Sequence, residues 1–122
     1  DGKLAPPPFG IRCVCSEYPG SKGFIEPFRM NDPDVAWDQI GVLVEMMPRT
    51  TIEERTDSYI RALTHTKVFR FPDVIEFRLD RDAKIIHMRS CSGVGIVDLG
   101  VNRRRMESLR LELVELSHCT DP

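Results

Sequence analysis

No apolar run in this 122-residue chain approaches the roughly 20 residues that a helix needs to span a bilayer, and its longest helical pattern is interrupted by Asp38 and Glu45. A transmembrane segment is therefore not expected. There is no large excess of charge of either sign: the formal net charge is -2. That excludes nucleic-acid binding by bulk electrostatics, which leaves a strongly basic footprint. Disorder is not expected either, because 41% of residues are hydrophobic and 30% charged, as in ordinary globular proteins. Internal repeats and low-complexity segments are absent. Histidine is scarce, with three in the chain, and the cysteines lack a zinc-type spacing: Cys13-x-Cys15 has one intervening residue. A site drawn from these two with His87, Cys91, His118 or Cys119 is not diagnostic, so no metal and no cofactor are expected. The length fits one domain, since a chain of this size buries roughly two-thirds of its unfolded surface around a single core.

What is present is unevenly spread. From Lys67 to Arg110 there are ten Lys and Arg against six Asp and Glu, whereas the first 66 residues hold seven against ten. A local basic patch follows from that imbalance. The four cysteines, Cys13, Cys15, Cys91 and Cys119, allow up to two disulfides with three connectivities; buried free thiols are the alternative. The chain opens Asp1-Gly2-Lys3-Leu4-Ala5 without an initiator Met, as after removal of a targeting segment or trimming, which points to export or organelle import.

Residues 1–24 read as an extended proline-rich arm, with Pro6-Pro7-Pro8 favouring polyproline geometry and Pro19-Gly20-Ser21 a turn, ahead of a domain over 25–122. Asp32 is placed to cap a helix, Pro33 suits its first position and Asp34 its positive end. Ala36, Ile40, Leu43, Val44 and Met47 recur at three- and four-residue spacing before Pro48 ends it. Thr50–Glu54 and Tyr59–Thr66 read as a hairpin around Thr56-Asp57-Ser58. The alternation over Val74–Leu79 and Lys84–Arg89 predicts a second hairpin, with Ile75, Phe77 and Leu79 facing the core and Glu76 and Arg78 facing away. A loop punctuated by Gly93, Gly95 and Gly100 leads to Asn102 as cap of a last helix reaching about Ser117, with Met106, Leu109, Leu113 and Leu116 as its apolar stripe. The expected fold is α+β: an antiparallel sheet of about four strands with two helices packed on one face.

Three stretches go beyond pattern. Phe71-Pro72-Asp73-Val74-Ile75-Glu76-Phe77, then Ile86-His87-Met88-Arg89-Ser90-Cys91-Ser92, then Asp98-Leu99-Gly100-Val101-Asn102-Arg103-Arg104-Arg105 resemble, in order and spacing, the hallmark of the domain-of-unknown-function 1499 family. Cys13-Val14-Cys15-Ser16 and Ile25-Glu26-Pro27 add weaker matches, and the resemblance spans about residues 13–116. Val74, Gly93 and Cys15 depart from the residues usual at those positions. The resemblance implies relatives in bacteria and photosynthetic eukaryotes, and it implies no general reaction.

The chemistry concentrates at Arg103-Arg104-Arg105, which stand in the first turn of the last helix, where the macrodipole disfavours cations. A bound anion offsets that cost if free backbone N–H groups and guanidinium groups hold a phosphate or lipid headgroup, and Arg89, Ser90, Ser92 and Asn102 are placed to contribute. The plainer reading pairs the arginines with Asp98, Glu107 or Asp73. His87, Asp73 and Glu76 are acid–base candidates, and Cys91 with His87 a nucleophilic pair, but none has an identified third member. No catalytic residue is assigned. A noncatalytic accessory or structural subunit is expected, docking through its arm and exposed faces onto the protein subunits of a larger assembly. The specific expectation is a thylakoid complex such as a photosystem in a plastid, with an exported or periplasmic protein as the alternative; an anion- or lipid-headgroup-binding module is the competing role.

Overall fold

The structure, a computed structural model, describes residues 3–5, 13–65, 72–92, 100–115 and 119–120, the last two as backbone only. Pro6-Pro7-Pro8, Thr66, Gly93, Gly95, Asp98, Leu116, Ser117, His118 and the Cys119 side chain lie outside the described residues. The elements run β1 (Cys13–Cys15), β2 (Phe28–Met30), α1 (Pro33–Met46), β3 (Thr50–Arg55), β4 (Tyr59–Thr64), β5 (Asp73–Asp80), β6 (Ile85–Cys91), α2 (Val101–Glu115) and β7 (Cys119–Thr120).

The strands form one antiparallel sheet in the order β3-β4-β5-β6-β2-β7. The outer edge of β6 is shared: β1 pairs with its Arg89–Cys91 end, and β2 pairs with Ile85 and Ile86 at the other. The four long strands, β3 to β6, form the two expected hairpins. Along β5 the burial alternates strictly, Asp73, Ile75, Phe77 and Leu79 going under and Val74, Glu76, Arg78 and Asp80 staying partly exposed, as a two-residue side-chain period demands. The helices lie on the buried side, where Ile60, Ala62, Ile75, Phe77, Ile86 and Met88 join Trp37, Ile40 and Val44 of α1 and Met106, Leu109 and Leu113 of α2 in one core. Each such side chain contributes about 1.5–3 kcal/mol over its exposed state. This side is called the helix face below, and the other the open face.

Both helices are fixed at their ends by local chemistry. Asp32 accepts a hydrogen bond from the Val35 N–H at 3.2 Å, Pro33 takes the first helical position, and Met47 ends α1 before Pro48. Gly41 faces Arg55, whose guanidinium lies where a Cβ would stand. α2 begins at Val101, so Asn102 sits inside its first turn instead of capping it. Arg110, 5% exposed, ties α2 to the segment before β2, donating to the carbonyls of Pro27 at 3.0 Å and Glu26 at 2.6 Å.

The segment expected as an extended arm carries β1 and packs against the rest of the chain. Leu4, Ser16 and Glu17 are buried, and Gly23 lies against the Cys13 carbonyl so closely that a Cβ would collide with it. Cys13 and Cys91, opposite each other in the β1–β6 register, form a disulfide; Cys15 is a buried free thiol.

Candidate functional site

On the helix face, the end of β6 meets the first turn of α2 in a buried polar knot. Ser90 donates to Asn102 Oδ1 at 2.6 Å, and Asn102 Nδ2 donates to Ser92 at 2.7 Å. Arg105 reaches beneath them, giving Nη1 to Asn102 Oδ1 at 2.9 Å and Nη2 to Asp73 Oδ2 at 2.8 Å. Ser90 and Asn102 are fully buried, and the Arg105 and Asp73 side chains are each 11% exposed. Four of the anion-site candidates, Ser90, Ser92, Asn102 and Arg105, are thus brought together, but around a carboxylate of the chain itself.

The other three diverge from that knot. Arg103 donates to the Phe24 carbonyl at 2.9 Å, and Arg104 is exposed beside Gly100. Arg89 neighbours Ser90 in sequence and so points through the opposite face of the sheet, where it donates to Glu76 at 3.1 Å and to the Ala5 carbonyl at 2.9 Å. The charge that the basic half of the sequence concentrates is therefore split across two surfaces.

The open face is organised around Glu17, whose side chain is 1% exposed. It accepts two bonds from Arg78, both at 2.7 Å, and one from the Leu4 backbone N–H at 2.9 Å. Burial pushes the Glu17 carboxyl up, but those hydrogen bonds and the neighbouring positive charge outweigh it, leaving its pKa below the usual value. Beside it, Ser16 extends the β1 ladder: its N–H donates to the Met88 carbonyl at 2.9 Å and its Oγ accepts the Met88 N–H at 2.8 Å. The same Oγ is hydrogen-bonded to His87 Nδ1, 2.8 Å away, and the other ring nitrogen, Nε2, lies 3.8 Å from Glu17 Oε1. Burial lowers the His87 pKa, against the pull of Glu17. Tyr59 donates to Glu76, and burial followed by that bond raises its pKa to about 12.

This Ser–His–Glu arrangement has the membership of a hydrolytic triad but not its poise. A nucleophilic serine needs an exposed oxygen and a free lone pair directed at substrate; Ser16 is 3% exposed and its Oγ holds a strand amide. Cys91, the other nucleophile candidate, is spent in the disulfide, and burial raises the pKa of the Cys15 thiol, keeping it protonated and unreactive. Among the described residues no group of three or more His, Cys, Asp or Glu side chains is arranged to hold a metal ion, and no helix is long and apolar enough to cross a membrane.

Two of the hollows among the described residues are lined by charged side chains. The larger, about 750 Å³, opens on the open face between Lys3–Ala5, the β3–β4 turn with Glu54, Thr56, Ser58 and Tyr59, and β5 with Glu76, Arg78 and Leu79. The smaller, about 310 Å³, lies by the start of α1 among Asp34, Asp38, Asp57, Arg55 and Arg81. Sequence reading missed the Glu17–Arg78–His87 group; the signal available was that Ser16 and Glu17 directly continue the Cys13-Val14-Cys15 match.

No curated protein and no solved structure matches the chain. A family does, over residues 3–113, and it takes in β1 and the Glu17 anchor, both hairpins and all but the end of α2. The chain belongs to the DUF1499 family, proteins of unknown function.

Proposed function

We propose that the protein is a noncatalytic accessory subunit that docks onto a larger protein assembly through the outer face of α1. One observation carries this reading. At 3.6 residues per turn, Val35, Val42 and Met46 form a single row along α1, on the side turned away from the core-facing Trp37, Ile40 and Val44. They are 36%, 49% and 74% exposed. A helix that is apolar on both sides is one made to be covered twice, and the sheet covers α1 once.

The polar groups of the chain support the same role, because they are engaged in holding it together: Asp73 by Arg105, Glu17 by Arg78, Glu76 by Arg89 and Tyr59. The Cys13–Cys91 disulfide favours an oxidising compartment, such as a periplasm or a thylakoid lumen, over a reducing cytosol. Association with a photosynthetic membrane complex is the form of the proposal that the resemblance to proteins of photosynthetic eukaryotes suggests. The test is native mass after gentle extraction, with identification of the chains that co-purify. Comigration with a large complex supports docking; a free 14.0 kDa species contradicts it.

A further inference from the structure

Most charged groups on the open face are paired where they stand, and several hydrogen-bond donors left unused there line the larger groove. Arg78 commits Nε and Nη2 to Glu17, so its Nη1 has no hydrogen-bond partner among the described residues. Glu17 is itself held by the Leu4 N–H, so the guanidinium is braced from behind and its unused edge keeps a fixed direction. Lys3 makes no ion pair among the described residues; its ammonium lies 5.5 Å from the centre of the Tyr18 ring. Both residues line the groove, as do Ser58, with no partner for its hydroxyl among those residues, and Tyr59, which donates to Glu76 and is also hydrogen-bonded by Arg61.

We propose that this groove binds a small polar ligand bearing one carboxylate or phosphate group, held by Arg78 Nη1 and Lys3 Nζ, with the rest of the ligand along Ser58 and Tyr59. A planar guanidinium braced by a buried acid is a ready partner for an oxyanion, because little side-chain freedom is lost on binding. The two acids of the groove shape the choice. Glu76 is neutralised by Arg89 at 3.1 Å, whereas Glu54 is exposed and has no ion pair among the described residues. It disfavours multiply charged anions and favours a ligand with a single anionic group. This site is separate from the arginines of α2 and from the outer face of α1, so it stands or falls independently of docking.

The test is a titration of the whole ¹⁵N-labelled chain with inorganic phosphate and, separately, with acetate at low ionic strength, following arginine side-chain and backbone resonances. Saturable shifts are expected at Arg78, Lys3, Ser58 and Tyr59, and the anion that saturates at the lower concentration identifies the ligand's charged group. Arg78→Lys, which keeps a cation beside Glu17, and Lys3→Ala, at an exposed position, should each weaken binding about tenfold. The proposal is overturned if neither anion gives saturable shifts, if the shifts centre on Arg103 and Arg104, or if Lys3→Ala binds as tightly as the parent chain.

Discussion

Glu17 and Asp73 are acids on opposite faces of one sheet, Glu17 paired with Arg78 and Asp73 with Arg105. Arg105→Ala takes the guanidinium away from a nearly buried Asp73, and should cost about 3 kcal/mol in a denaturant titration. Asp73→Asn combined with Arg105→Met should cost less than the two single changes summed; strict additivity would mean that the pair is not coupled. On the open face the signs run together. His87 has a native pKa below its ordinary 6.5, so the unfolded chain takes up protons first and stability falls as pH drops through the range beneath 6.5. Glu17, also depressed, contributes stability that is present above 4.5 and lost as pH falls through its native pKa. His87→Asn, which keeps a hydrogen-bonding group beside Ser16, should flatten the dependence of Tm on pH beneath 6.5, and Glu17→Gln the dependence beneath 4.5; slopes unchanged in both variants would refute these assignments. The Asp73–Arg105 contact was legible beforehand as the plainer partner for the arginines. The opposite facing of Arg89 and Ser90 was legible too, in strand alternation, but the motif's continuity in sequence obscured it. Glu17 was marked only by its place directly after the Cys13-Val14-Cys15-Ser16 match, and its pairing with an arginine 61 positions later was not legible.

Among the elements, the ones with a period declared themselves. Both helices and both hairpins were readable, and each is found within a residue or two of its expected bounds, except that the expected end of α2 at Ser117 lies outside the described residues. β1, β2 and β7 have two or three residues each, too short for a period; β1 and β2 add to the outer edge of β6, and β7 adds to β2. β1 is the consequential one, since it brings Cys13 opposite Cys91 and Ser16 opposite Met88. The disulfide closes a loop of 78 residues, for which chain entropy gives a stabilisation of about 4 kcal/mol. Reduction, or Cys13→Ser with Cys91→Ser, should lower the unfolding free energy by roughly that amount without abolishing the far-ultraviolet helix signal, because β1 gives the helix-face core only Val14. Identical denaturation curves with and without reductant would show that the bond does not form in solution.

At the scale of the whole molecule, one sheet has two differently finished sides. The helix face is closed by α1, α2 and an apolar core; the open face is crossed by Lys3–Ala5 and held by ion pairs. The outer row of α1 fits neither scheme. The sequence stripe drawn through Ala36, Ile40, Leu43, Val44 and Met47 describes its inner side, and Val35, Val42 and Met46 were passed over because one apolar face is all that a two-layer fold needs. The most direct measurement of the docking account therefore compares the native chain with a Val42→Glu, Met46→Glu double variant in the same gently extracted material, by native mass and by Tm. Substitutions at these exposed positions should leave folding within about 0.5 kcal/mol of the parent. The account predicts that the native chain runs with a large assembly and the variant runs free at 14.0 kDa with its Tm intact; a variant that stays in the assembly, or a native chain that runs free, would contradict it.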